Sequence, residues 1–397
     1  MTPDVPRRPG LFILVAISGM GPLALNIFMP SMPGLQRVFN ADYATVQLTL
    51  TLFLIGLAVA QLAYGPISDR HGRRPVLLGG MAVFVLGSIA CLVAPTIEIL
   101  IAARVLQAVG ACSGMVLSRA IIRDLYDREQ AVSMLAYVMA AMVVIPMLAP
   151  SIGGVLDEWF GWWASFAFCA LAGAIVLFAS WLALHESHTP STAVRGAADM
   201  GFDFIRLLRN PSFASYGFQG AFTSSAFFSF LSGAPYVTID LLGRSPAEYG
   251  LYFISLSLMY ILGNFLTGRL SKRIGLDRMI WIGTSLGILG TGLLLACVSA
   301  GLLTIWILFG TIAIMTVGNG LAIPNSMAGA ISAEPRIAGA AAGLAGFLQM
   351  GLGAAATLLV GALLEDTALP LAAVMFSGAV TGFAIHAARQ LRRSAPV

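Results

Sequence analysis

Twelve times this chain runs apolar for long enough to cross the hydrocarbon of a bilayer, a distance that takes about 20 helical residues. The runs lie at about residues 11–35, 44–66, 76–95, 97–119, 130–156 and 162–185, then at about 211–240, 247–268, 279–298, 302–331, 338–364 and 368–388. A polar stretch from Glu186 to Asn210, carrying Pro190, Ser191, Arg195, Asp199, Arg206 and Arg209, separates the two sets. The pattern is six helices, a linker and six helices. Charged residues are 10% of the chain, against about 25% in soluble domains. That is too little charge to solvate a soluble surface, so a soluble enzyme, a nucleic-acid binder and a disordered chain are excluded and the lipid bilayer is the obligatory partner. The first run is too long for the apolar core of a cleaved leader and carries Asn26, Pro30 and Pro33, so it reads as a retained helix.

Charge orients the helices. With the N-terminus inside, the inner segments hold eighteen basic residues and the outer loops only Arg37 and Arg244; Arg104 and Arg119 fall within the fourth run. This bias toward one side predicts that both termini and the linker are cytoplasmic. Cys91, Cys112, Cys169 and Cys297 all sit in apolar runs without a CxxC spacing, and read as helix-packing residues rather than disulfides or metal ligands. The four histidines are scattered at loop and helix ends, so no metal site and no cofactor is expected.

The halves repeat. Gly65–Pro75 reads GPISDRHGRRP and Gly268–Arg278 reads GRLSKRIGLDR, so Gly65, Ser68, Arg70 and Gly72 match Gly268, Ser271, Arg273 and Gly275 at a constant separation of 203 residues. Both loops follow the second helix of a set. Parallel repeats of this kind are a transporter architecture. Asp69 is matched by Lys272, so the two loops are expected to do different jobs. The expected fold is an all-α membrane protein: twelve transmembrane helices in two pseudo-symmetric six-helix halves, residues 1–185 and 211–397, joined by a cytoplasmic linker at 186–210.

Candidate functional residues are the polar groups the spans tolerate. On a helix, Arg104, Gln107, Ala111, Gly114 and Ser118 share one face of the fourth span while Val105, Val109, Cys112 and Val116 share another. An intramembrane arginine costs at least ~2.5 kcal/mol and so needs a partner, water or a function. Arg104 is either a structural tie to a carbonyl or a handler of substrate or protons; Gln107 on the same face favours the second. Weaker stripes are Gln47, Thr51, Ala58, Gln61 and Gly65 in span two, Gln219, Phe222, Thr223, Ala226 and Phe230 in span seven, and Ala342, Gly346, Gln349, Gly353 and Ala356 in span eleven. The small residues of span eleven read as close packing. The aromatics of span seven leave pocket lining and lipid contact both open. A largely apolar pocket with sparse polar groups suits amphipathic small molecules. Pro146, Pro150, Gly153 and Gly154 predict a kink near the outer end of span five.

These motifs resemble a known family. Gly65, Asp69, Arg70, Gly72, Arg73 and Arg74 are similar to the helix 2–3 loop signature of the major facilitator superfamily. Arg104-x-x-Gln107-x-x-Gly110 resembles the helix-4 motif of its proton-coupled members, and Ala149-Pro150-Ser151-Ile152-Gly153-Gly154 the helix-5 motif of its exporters. Pro30, Pro33, Arg119, Arg123 and Asp124 resemble the Bcr/CflA-type drug-resistance exporters. The resemblance spans essentially the whole chain. It implies a gate between the halves built from Asp69, Arg70, Arg73, Arg119 and Asp124, and an antiporter-type motif at Pro150, Gly153 and Gly154. It also implies a monomer in the plasma (bacterial inner) membrane that exports drugs or metabolites in exchange for protons. One position departs: where that exporter group usually carries an acid in its first helix, this chain has Asn26. Asn26 is therefore expected to contact substrate or Arg104, in a cavity both share, without carrying a proton.

Other classes fit less well. A specific metabolite exporter or an importer without coupling through the first helix is the alternative, and the span-five motif disfavours import. A membrane-embedded enzyme would need a nucleophile–base pair or metal ligands at membrane depth; the sequence places no histidine in a span and no Asp or Glu at a span centre. No GxxxxGK[ST] loop is present, so ATP is not the direct energy source.

Overall fold

A computed structural model describes residues 10–187 and 197–394. Arg7, Arg8 and Arg195 of the charge count, Pro190 and Ser191 of the linker, and the final residue Val397 lie outside the described residues. The described chain is helical, with no strand. The first span is broken: α1 (Leu11–Asn26) gives way to a 3-10 turn (Met29–Ser31) and then α2 (Met32–Phe39). The rest of the first half is α3 (Tyr43–His71), α4 (Arg73–Leu92), α5 (Ile97–Leu125), α6 (Arg128–Phe160) and α7 (Trp163–Ala183). The linker contributes α8 (Ala197–Arg209). The second half is α9 (Pro211–Tyr236), which runs into a π-turn (Val237–Leu241), then α10 (Pro246–Ile274), α11 (Leu276–Ser299), α12 (Ile305–Ser332), α13 (Ala338–Leu363) and α14 (Leu369–Ser394).

Eleven of the spans are long and apolar enough to cross a membrane on composition alone. The twelfth, α9, falls short because it carries Gln219, Thr223 and a run of serines, and those groups are buried inside the protein, Ser224, Ser225, Ser229 and Ser232 among them. α3 and α5 extend past the apolar runs by about a turn and carry Asp69, Arg70, Arg123 and Asp124 on rigid helix rather than on loop. α6 is continuous through Pro146 and Pro150. The helix thus runs unbroken through both prolines.

The repeat is structural. α4 packs on α5 and α7 as α11 packs on α12 and α14, and α1 packs on α5, α6 and α7 as α9 packs on α12, α13 and α14. Gly72 (φ 92°, ψ 154°) and Gly275 (φ 91°, ψ 152°) turn the chain from α3 into α4 and from α10 into α11 in one and the same conformation, one that a Cβ would oppose. Asn40 and Gly243, again 203 residues apart, both take positive φ, 47° and 64°. Asp42 and Ser245 then cap α3 and α10. Asp42 accepts the Thr45 amide at 2.8 Å, and the Thr45 side chain first, with that amide second, holds its carboxyl below the usual carboxylate range. The halves meet along two lines, α3 against α13 and α6 against α10. The same twofold exchanges one line for the other.

Candidate functional site: a central cavity between two unlike ends

At the arginine-poor end the halves are sealed by polar bonds across both lines. Gln47 of α3 donates to the Ser232 carbonyl of α9 at 2.5 Å, and Ser232 Oγ donates back to Gln47 Oε1 at 2.6 Å. Tyr43 donates to the same carbonyl at 2.8 Å, and the hydroxyls of Thr51 and Thr357 are 2.7 Å apart. On the other line Ser151 Oγ donates to the Gly250 carbonyl at 2.8 Å. Gly153 lies against the Ile27 carbonyl and Gly154 against the Pro246 carbonyl, with no room for a Cβ at either. The helix-5 motif thus works as a close-approach surface: Gly153 faces its own half at the break in the first span, and Gly154 faces the other half.

Beneath the seal lies a cavity of about 250 Å³, with Asn26, Tyr260, Asn319 and Gln349 among its polar lining and Phe227, Phe228 and Phe253 among its aromatic lining. A larger vestibule of about 690 Å³ opens toward the arginine-rich end, lined by Asp69, Arg73, Arg119, Arg123, Asp124 and Asp203 among others. Met115 lines both spaces. Beside it Gln61 donates to the Gly343 carbonyl at 3.4 Å and packs on Gly346, so a single thin layer separates cavity from vestibule.

Of the sequence-picked substrate residues, Asn26 and Gln349 line the cavity. Asn26 donates its amide to the Pro22 carbonyl at 2.8 Å. Arg104 and Gln107 do not line it, contrary to the expectation that Arg104 and Asn26 share one space. Arg104 is fully buried, donating to the Ala24 carbonyl at 3.0 Å and to Gln107 Oε1 at 2.5 Å. Its guanidinium lies 4.0 Å from the ring centre of Phe28 and 4.1 Å from that of Phe53. Gln107 passes the chain of bonds on to Ser88. The physical reason is the break in the first span: with α1 ending at Asn26, the Ala24 carbonyl is among those left without a helical partner, and Arg104 satisfies it. Gln219 is likewise turned inward, bonded to Thr223 at 2.9 Å and to Ser326. Phe222 is half-buried on the α14 side, its carbonyl near Gly378.

The gate residues divide. Arg73 pairs with Asp69 at 2.5 Å and with Asp124 at 2.9 Å, and also donates to Ser68 at 2.5 Å. All of these belong to the first half. Arg119 lines the vestibule with its guanidinium 3.4 Å from Met142 Sδ, while Arg70 points out into solvent.

Two constellations were missed in the sequence. In the second half Asp277 accepts from Tyr216 at 2.8 Å and from Arg389 at 3.2 Å, with Arg389 3.6 Å above the Tyr216 ring. His386 bonds the Asp277 carbonyl at 3.2 Å and is buried in α14, which corrects the reading that no span holds a histidine. Asp277 is the repeat partner of Arg74, which ties the start of α4 to the Leu184 and Trp181 carbonyls at the end of α7. Both halves tie their third helix to their sixth, with opposite charge. The constant separation could have found this pair. The other missed group is Asn319, an amide flanked by Gly318 and Gly320. No metal-binding group of His, Cys, Asp and Glu occurs among the described residues.

Comparison with known proteins follows the same lines. The chain is 33% identical over 94% of its length to "Uncharacterized MFS-type transporter YdgK" of Bacillus subtilis, covering 92% of it. It is 32% identical over 88% of its length to "Multidrug resistance protein D" of Escherichia coli, covering 87% of it. It is 30% identical over 88% of its length to "Chloramphenicol resistance protein" of Pseudomonas aeruginosa, covering 83% of it. A D-xylose–proton symporter shares the fold at a TM-score of 0.72 and 14% identity, with 94% of this chain and 96% of that one covered. A bacterial homologue of the lysosomal transporter Spinster does so at 0.71 and 15%, with 95% of each covered. The family model for the Major Facilitator Superfamily matches residues 11–358, and the chain belongs to that superfamily.

Proposed function

We propose that this protein exports small amphipathic compounds, drugs or metabolites, across the plasma (bacterial inner) membrane by alternating access between halves 1–185 and 211–397. The observation that carries the reading is the asymmetry of the two ends. A cavity between the halves is sealed on one side by short polar bonds and separated by one thin layer from a vestibule on the other. A seal at one end with an open vestibule at the other suits two halves that expose one side at a time. Two relatives named for drug resistance support export of drugs. The arginine bias supports a cytoplasmic vestibule with both termini on that side.

Proton exchange is part of the proposal, and the lining supports a particular location for it. The central cavity has no carboxylate among its described lining residues, whereas the vestibule holds Asp69, Asp124 and Asp203. Coupling is therefore assigned to the vestibule rim, not to position 26. The working unit is a monomer: cavity, seal and vestibule are all built from one chain. Substrate accumulation across a panel of antibiotics in a pump-deficient strain, with and without an uncoupler, tests the function. Lower accumulation that the uncoupler abolishes is expected; accumulation unchanged by expression of the protein would refute it.

A further inference from the structure

The central cavity contains a donor with nothing to donate to. Asn319 of α12 is 2% exposed and lines the cavity, and its amide nitrogen has no hydrogen-bond partner. A buried amide left unpaired is costly, and on a side chain that lines a cavity a turn of the amide lets a ligand satisfy it. The rest of the described lining is amide, hydroxyl, aromatic ring, thioether and aliphatic side chain, with no charged residue. One guanidinium stands against that lining: Arg119 lies 3.4 Å from Met142 Sδ. Its charge makes the cavity less hospitable to a cation. Aromatic faces offset only part of the desolvation of a cation when no carboxylate is at hand.

We propose that the cavity takes uncharged molecules bearing a hydrogen-bond acceptor, and that Asn319 fixes their orientation by donating its amide to a carbonyl, nitro or hydroxyl oxygen. This specificity rests on the export function proposed above and adds the substrate class. Asn26 and Gln349 stand on the same wall set, supplying amides to a second polar end, while Phe227, Phe228 and Phe253 receive the apolar body.

The test is binding to the purified full-length protein in lipid nanodiscs, with chloramphenicol as the uncharged probe and tetraphenylphosphonium as the cationic one. Wild type is expected to bind chloramphenicol and to bind tetraphenylphosphonium at least tenfold more weakly. Asn319→Leu is expected to weaken chloramphenicol roughly three- to tenfold, the usual value of one such bond, without lowering the melting temperature, because no protein partner loses its bond. Asn319→Asp is expected to gain tetraphenylphosphonium binding. Equal binding of the two probes by wild type, unchanged chloramphenicol binding in Asn319→Leu, or binding of neither probe would overturn the proposal. Loss of melting temperature in Asn319→Leu would overturn it too, by showing the amide to be structural. Parallel accumulation assays in cells separate the two readings: the expected binding pattern with no change in accumulation removes the export function and leaves the site.

Discussion

Gln47 and Ser232 hold each other twice across the boundary between the halves, amide nitrogen to carbonyl at 2.5 Å and hydroxyl to amide oxygen at 2.6 Å. Neither bond is within one half, so both must break whenever this end opens. Every group in the seal is neutral: Tyr43, Gln47, Thr51, Ser151, Ser232 and Thr357. Neutral bonds contribute about 1 kcal/mol each, which suits a contact that forms and breaks in every cycle.

The two glycines of the helix-5 motif are expected to fail differently. Gly154→Ala drives a methyl into the Pro246 carbonyl of the other half. Overpacking of that kind costs about 1–3 kcal/mol, which lowers the closed-to-open ratio about fivefold or more and leaves each half folded. Gly153→Ala drives a methyl into Ile27 of its own half, so it lowers thermal stability. Melting curves and efflux of the two variants check this. Equal melting loss in both would show that Gly154 is not an interface residue.

Arg104 is expected to act through the first span. Arg104→Ala leaves the Ala24 carbonyl and Gln107 Oε1 without a donor and opens a void between Phe28 and Phe53, a loss of about 3 kcal/mol. Arg104→Lys is expected to recover only part of it, because an ammonium cannot lie flat between two rings while bonding both oxygens. Thermal unfolding in detergent reads this out. An unchanged melting temperature in Arg104→Ala would contradict the structural tie and return Arg104 to a role in transport alone.

How much of this was legible beforehand follows from what periodicity carries. The twelve spans, the repeat and the arginine-rich face are visible because lipid imposes length, apolarity and charge bias on local sequence. The stripe Gln47, Thr51, Gln61 was visible as helical spacing, and all three residues meet the second half. Their partners Ser232, Thr357 and Gly343 were not visible, since which face meets which helix is set by packing across about 180 to 300 residues of chain. Arg104 misled for a related reason. Its polar face was read correctly, but the break after Asn26 that turns that face toward an orphan carbonyl is a property of the neighbouring helix. The Asp277–Arg389 tie was open to the constant separation of the repeat, which pairs Asp277 with Arg74, once a reversal of charge between the halves is allowed.

The two carboxylates on Arg73 are unequal. The side chain of Asp124 is 16% exposed and that of Asp69 is 48% exposed. Asp69→Asn is expected to cost under about 1 kcal/mol of stability, as exposed pairs do, yet to impair efflux, because Asp69 lies at the vestibule mouth where the halves must approach. Asp124→Asn is expected to lower the melting temperature clearly, leaving the buried Arg73 with only the more exposed of its two charge partners. Wild-type efflux in a well-expressed Asp69→Asn protein would sink the gate.

Position 26 is expected to govern pH dependence. An amide does not titrate, so chloramphenicol binding to wild type should change little between about pH 6 and 8. Competition with one proton at a single site would instead weaken it about tenfold per pH unit below that site's pKa. Asn26→Asp is expected to introduce a titration that wild type lacks. Steep wild-type dependence that survives Asp69→Asn, Asp124→Asn and Asp203→Asn would show that coupling is not at the rim.

The most direct measurement joins the seal to transport. Thr51 and Thr357 place their hydroxyls 2.7 Å apart across the halves, close enough for a disulfide after Thr51→Cys with Thr357→Cys. Cys91, Cys112 and Cys169 are buried, and the partly exposed Cys297 is removed by Cys297→Ser. Energised everted membrane vesicles carrying the reduced double variant should accumulate labelled chloramphenicol, stop when the bond is oxidised, and resume when it is reduced. Uptake that continues at full rate through the cross-linked protein would contradict alternating access through this seal.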